Sequence, residues 1–327
     1  MSQRMDRRDF LKTSFALSTA ASVAASGAGA GSSKPNASAK DESGGPDSDK
    51  MPHGEIAGQQ FSRLILGGNL INHYTHSRDL DYVYDLAARY NTEEKILDTL
   101  ELAEKHGISW LVADPLGCQP TLMKYRRERG GDIRWVMCPH ADPTKGIENY
   151  MEEAEQLVEN GASALYVWGV RGDRLYRQDR IDLIKQCVAV HKGLGVPSGV
   201  GAHDLRVIEA CEEYGVGADF YVKTFHHHDY PTAPEPDEIE GPYSEIPGYW
   251  CRNPNRTAEV MEEVDKPWIA FKVMAAGAIP PKSAFPYVLN NGADHILAGM
   301  FDFEIAEDAK IAREAIAQAD RSRPWRS

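Results

Sequence analysis

Two lysines sit where lysine seldom does. Lys223 lies inside Phe220-Tyr221-Val222-Lys223-Thr224, and Lys272 inside Trp268-Ile269-Ala270-Phe271-Lys272-Val273-Met274, both apolar and β-prone runs. An ammonium group is almost never fully buried unless it is paired. If both side chains share one poorly hydrated cavity, desolvation and mutual repulsion each disfavour the charged form. Taking a lysine from ~10.4 to ~7 corresponds to roughly 4–5 kcal/mol. What that yields is a neutral amine able to attack a carbonyl. The competing reading is a plain cation that pairs with Asp114 or Asp302 or binds an anion.

Histidines offer a second chemistry. His203 ends one apolar run, and His226-His227-His228 with Asp229 follow another. Neutral imidazoles on adjacent strands can hold a divalent ion such as zinc or manganese, here through His203 with His226 or His228, and Asp114 or His140 completing the set. Such an ion polarises a carbonyl or hydroxyl and suits an isomerase, epimerase or lyase acting on a carbohydrate. A run of three histidines is also common in solvated loops, because adjacent residues cannot all face one ion.

The elements that must position these groups repeat regularly. Short β-branched or apolar runs predict strands over 64–68, 109–114, 133–138, 164–168, 198–203, 220–224, 268–274 and 295–298. Helical patterns lie between them, over 93–105, 121–128, 147–159, 181–191, 205–214, 255–264, 283–290 and 304–317. Gly107, Gly161, Gly195, Gly215 and Gly292 each follow a helix, where a left-handed cap belongs. Eight such units predict a single-domain (β/α)8 TIM barrel, an α/β fold. No G-x-G-x-x-G opens any of the helices, which leaves an open dinucleotide-binding sheet without support.

In a barrel the C-terminal strand ends converge on one site. Read in order, they give Asn69, Asp114, Cys138 with His140, Trp168, His203, Lys223 with His226, Lys272 and Asp302. Asp114, His203, Lys223 and Lys272 are the catalytic candidates; Asn69, Cys138, His140, Trp168, Trp250 and Asp302 are candidates for binding substrate. Two long connections, after strands one and six, would project from the same mouth. The first carries an expected helix over 79–90; the second, 229–253, holds Tyr230, Tyr243, Tyr249 and Trp250, aromatics that could stack on a sugar ring.

Two resemblances bear on activity. The segments Ala218-Asp219-Phe220-Tyr221-Val222-Lys223-Thr224 and Phe271-Lys272-Val273-Met274-Ala275-Ala276-Gly277-Ala278-Ile279 resemble strands six and seven of deoxyribose-phosphate aldolase, a class I aldolase. That resemblance implies Lys223 as the Schiff-base lysine and Lys272 as the partner that lowers its pKa. The N-terminal half, with Leu64-Ile65-Leu66-Gly67-Gly68-Asn69 and Ile96-Leu97-Asp98-Thr99-Leu100-Glu101, resembles the aldo-keto reductases, which places Asp114 at that family's catalytic aspartate. The family's tyrosine has no counterpart in Pro115-Leu116-Gly117-Cys118-Gln119, which disfavours NADP as a cofactor.

The rest of the chain sets location and class. Arg7-Arg8-Asp9-Phe10-Leu11-Lys12, an Ala/Ser-rich apolar run and small residues at Ala28 and Ala30 resemble a twin-arginine export signal over 1–30. It implies engagement of the twin-arginine machinery and a periplasmic or extracellular protein without stable membrane insertion. Residues 31–58, rich in Ser, Gly, Asp, Lys and Pro, read as a disordered linker, leaving 59–327 for the barrel. Along its whole length the chain resembles a group of twin-arginine-exported barrel proteins, a likeness that implies export and fold but no activity.

The chain has 327 residues and a formal net charge of -13, which argues against a nucleic-acid partner. Five scattered cysteines, an odd number, fit neither a zinc ribbon nor a disulfide framework. The expectation is an exported barrel enzyme with lyase or aldolase-type chemistry beside a carbonyl of a small carbohydrate-like substrate. A metal-dependent sugar isomerase or epimerase, a reductase, and a non-catalytic carbohydrate binder are the alternatives.

Overall fold

Eight short parallel strands close on themselves. They are β3 (Leu64–Gly67), β4 (Trp110–Val112), β5 (Arg134–Met137), β6 (Ala164–Val167), β7 (Ser198–Ala202), β8 (Phe220–Thr224), β9 (Trp268–Phe271) and β10 (His295–Ala298), with β10 returning to β3. The computed structural model describes residues 50–78, 80–235 and 251–327. The expected export signal over 1–30, most of the expected linker, and Trp250 lie outside the described residues.

Strand sidedness follows from the two apolar clusters. Ile65, Val112, Val136, Ala164, Phe220, Val222, Ile269 and Leu297 fill the barrel interior. Leu66, Leu111, Trp135, Leu165, Val200, Tyr221 and Ala270 face the surrounding helices. Residues alternate between these faces along each strand, as the pleat requires. On β7 both inward positions are glycine because the neighbouring chain crowds the space: a Cβ on Gly199 would lie 2.3 Å from the Phe220 ring, and one on Gly201 2.8 Å from the Gly169 backbone nitrogen and 2.9 Å from the Val167 carbonyl.

The helices are α1 (Asp81–Tyr90), α2 (Glu93–Lys105), α3 (Pro115–Arg129), α4 (Ile147–Glu159), α5 (Gly169–Arg177), α6 (Ile181–Gly193), α7 (Leu205–Glu213), α8 (Pro254–Glu263), α9 (Pro281–Asn290) and α10 (Asp302–Ala317). The five expected cap glycines all have positive φ, between 57° and 101°. Among the described residues no helix is long and apolar enough to cross a membrane. All five cysteines are buried free thiols.

Three local features depart from expectation. Residues 53–58, placed in the linker, fold into a hairpin of β1 (His53–Ile56) and β2 (Gln59–Ser62), joined by Ala57 (φ 48°) and Gly58 (φ 81°) in the geometry of a tight two-residue turn. Its Ile56 and Phe61 join the interior cluster, Phe61 stacks on Trp110 with ring centroids 3.6 Å apart, and the Trp110 indole N–H donates to the Gln60 carbonyl at 2.8 Å. This hairpin stoppers the N-terminal end of the barrel. Helix α5 was not foreseen, since Gly169-Val170-Arg171-Gly172-Asp173 lacks any apolar period. Strand β9 stops at Phe271 and not at Met274, because Lys272, Ala275 and Ala276 take left-handed backbone with φ of 57°, 47° and 58°.

Candidate active site

The inward face of the strands continues past their last hydrogen bonds, and the residues there line the open mouth. Asp114 follows β4, Cys138 and His140 follow β5, Trp168 follows β6 and His203 follows β7. The structure brings these five together.

One side of the mouth is built on β4 and β5. His140 Nε2 lies 2.7 Å from Asp114 Oδ2, and its ring stacks on Trp168 at 5.0 Å with the planes 9° apart. Asp114 is itself anchored as the cap of α3, its Oδ1 accepting from the Leu116 N–H at 2.9 Å. The backbone of His140 is clamped from two directions. Glu153 accepts from its N–H at 2.8 Å, and the buried guanidinium of Arg171 donates to its carbonyl at 2.7 Å and pairs with Asp142 at 2.9 Å. The neighbouring carboxylate raises the His140 pKa against the opposing effect of burial. Cys138 is fully buried beside Asp114 and Tyr166, and burial pushes its thiol well above the usual range.

The other side is built on β7. The carboxylate of Asp173, with no exposed surface, accepts from His203 Nδ1 at 2.7 Å and from the backbone N–H groups of His203 and Asp204 at 3.0 Å each. A carboxylate only accepts, so Nδ1 carries the ring proton and Nε2 is the basic nitrogen. The His203 ring lies 5.3 Å from the ring of Phe271, an interior residue of β9. A Cβ added to Gly169 would meet His203 Cε1 at 3.2 Å, so the Trp168–Gly169 junction separates the two imidazoles. His76, from the long connection after β3, is close enough that His203 and Lys272 both depress its pKa; with burial the dominant cause, it falls to about 3 and the ring is neutral.

The two lysines leave their strands differently. Lys223 pairs laterally with Ala202 and Ala270, both of which belong to the helix-facing layer, so its side chain leaves the strand outward. It is 1% exposed, its Nζ donates to the Thr224 carbonyl at 2.9 Å, and it borders a recess with His203, Arg206, Arg252 and Arg256. Burial lowers its pKa, while Cys251, Asp173 and Asp204 oppose that effect. Lys272 lies at the mouth, its Nζ 5.6 Å from the centre of the interior Phe271 ring. Lys223 thus leaves β8 toward the helices, whereas Lys272 stands over the interior ring of Phe271.

The expected metal set is not assembled either. His226 Nδ1 donates to the His227 carbonyl at 2.8 Å, and its Nε2 accepts from the Cys251 N–H at 2.7 Å. His228 Nε2 donates to the Cys251 carbonyl at 2.5 Å. These two rings fasten the return of the long loop after β8 and so are spent on backbone. Asn69 is exposed, and its carbonyl accepts from Tyr74 in a turn. Asp302 opens α10 and ties it to α1 and α2 through the Tyr90 hydroxyl at 2.6 Å and Lys95 at 2.9 Å. Asp173, Arg171 and His76 were not among the expected site residues. The one available signal was an acidic residue in a Gly/Arg-rich stretch directly after a strand.

No family model matches the chain, and no curated protein matches it. Among solved structures the fold resembles Gox0644 in its apo form, with TM-score 0.51 and 13% identity over 83% of this chain and 94% of that one. A point mutant of Gox0644 in complex with NADPH overlays equally, at TM-score 0.51 and 12% identity, with the same coverage. A looser overlay relates it to QR15, an aldolase, with TM-score 0.40 and 14% identity over 69% of this chain and 90% of that one. The two Gox0644 overlays show a shared fold.

Proposed function

We propose that the protein is an enzyme that moves a proton at a carbon next to a carbonyl of a small, polyhydroxylated substrate, as sugar isomerases, epimerases and aldol-type lyases do. The observation that carries this reading is the hold on His203. A buried carboxylate fixes its tautomer, aims the ring from the strand end into the mouth, and stabilises the imidazolium formed when Nε2 accepts a proton. As the C–H bond breaks, its electron pair moves into a carbon–carbon double bond and the carbonyl oxygen takes up negative charge. Lys272 and the neutral ring of His76, which feels both Lys272 and His203, are the groups offered to such an oxyanion. Trp168 and Phe271 offer flat apolar surface for the C–H faces of a sugar.

The test is solvent exchange. The full chain in deuterium oxide with a panel of aldoses, ketoses and their acids should place deuterium at the carbon beside the carbonyl, followed by NMR. Asp173→Asn should slow exchange by roughly 10²–10⁴-fold, the scale of a positioned general base. Undiminished exchange in His203→Gln, or none by the native chain across the panel, would overturn the reading.

A further inference from the structure

We propose that Asp114, Cys138 and His140 form a three-ligand site for a zinc-class divalent cation, placed on the opposite side of the mouth from His203. The donor atoms, one carboxylate oxygen, one sulfur and one imidazole nitrogen, all lie within 4.8 Å of one another. Tetrahedral bonds of about 2.0–2.3 Å place ligand atoms roughly 3.3–3.8 Å apart, so small rotamer adjustments are enough to close the set. His140 Nε2 is a buried nitrogen whose one contact is Asp114 Oδ2, at 2.7 Å. A cation between the two groups would take the nitrogen's lone pair and the carboxylate's charge together.

The supports around the ligands are those of a metal site. Leu116 N–H occupies Asp114 Oδ1, which leaves Oδ2 for the ion. Glu153 and Arg171 fix the His140 backbone, and Trp168 fixes its ring plane. Cys138 is held on the inward face of the strand end and is fully buried. Mixed sulfur, nitrogen and oxygen donors favour zinc-type ions over magnesium, calcium or manganese. Three protein ligands leave a fourth position open to the mouth, as in catalytic sites. Binding releases the thiol proton to solvent, and thiolate plus carboxylate neutralise the two positive charges.

Cobalt reports this site without any need for turnover. The full chain, stripped with a chelator and titrated with Co²⁺, should take up about one ion per chain, with tetrahedral d–d bands and an intense sulfur-to-cobalt charge-transfer band. Cys138→Ser should abolish the charge-transfer band, and His140→Gln should weaken binding by more than about 100-fold, beyond the effect usual for outer-shell partners. His227→Gln should leave the spectrum unchanged. Absence of a charge-transfer band from the native chain, or a band that persists in Cys138→Ser, would overturn the proposal. Because the spectrum is independent of catalysis, a chain that binds cobalt through sulfur but exchanges no substrate proton would refute the acid–base reading alone.

Discussion

Lys223 illustrates what a residue's neighbours decide and its own sequence does not. Its strand is buried at every position, as parallel strands covered on two sides are. The run Phe220-Tyr221-Val222-Lys223-Thr224 therefore announces a strand but gives no hint of which residues point inward. Lateral pairing with Ala202 and Ala270 decides it, and that is a property of register. A lysine buried against helices has a different signature from a catalytic one. Its folded pKa lies below the unfolded value of 10.5, so the unfolded chain binds more protons between the two, and stability rises as pH climbs through that interval. Lys223→Met should remove this rise in denaturation profiles taken on the alkaline side, and should leave the protein at least as stable near neutrality, with a gain of about 1 kcal/mol or more. Borohydride reduction in the presence of an active carbonyl substrate should leave Lys223 unmodified by peptide mass mapping.

At the level of elements, the regular repeat was legible and the exceptions were not. Strand positions and helix caps followed from β-branched runs and glycines, because each is a local preference that the barrel only reinforces. Helix α5 escaped because its hold comes from contact: a Cβ on Gly172 would lie 2.5 Å from the Gly201 carbonyl, so the helix is bedded directly on β7. That close seat is what delivers Asp173 to His203, and it explains why the carboxylate that holds His203 was invisible beforehand. The hairpin of β1 and β2 escaped for a related reason, since only two of its side chains are large and apolar. Phe61→Ala should nevertheless cost about 3–5 kcal/mol in chemical denaturation, because the ring is wholly buried against Trp110. On α10, Asp308 is 5% exposed, and burial with Glu304 and Glu307 raises its pKa to about 7. The folded chain then binds the extra proton between 3.8 and about 7, so stability falls as pH rises across that range. Asp308→Asn should raise the melting temperature above about pH 7 and make no difference below about pH 4.

Across the whole molecule, closure depends on polar contacts as well as on the core. Arg323, 1% exposed, pairs with Asp294 at 2.6 Å and donates to the carbonyls of Met261, Gly292, Val264 and Lys266 at 2.7–2.9 Å. Asp294 also accepts from the Trp268 N–H at 2.9 Å, so the C-terminal segment locks the feet of β9 and β10 together. Arg323→Ala leaves Asp294 with Arg321 alone, at 3.2 Å, as its cationic partner and four carbonyls without this donor, and should destabilise the fold by about 3 kcal/mol or more in urea titrations. At the other end of the sequence, Phe61 and Ile56 occupy the floor of the same barrel. Among the described residues, a vessel floored in this way opens at the strand-end mouth. Whatever arrives must leave by the path it came, and a lingering product therefore stands in the way of the next arrival.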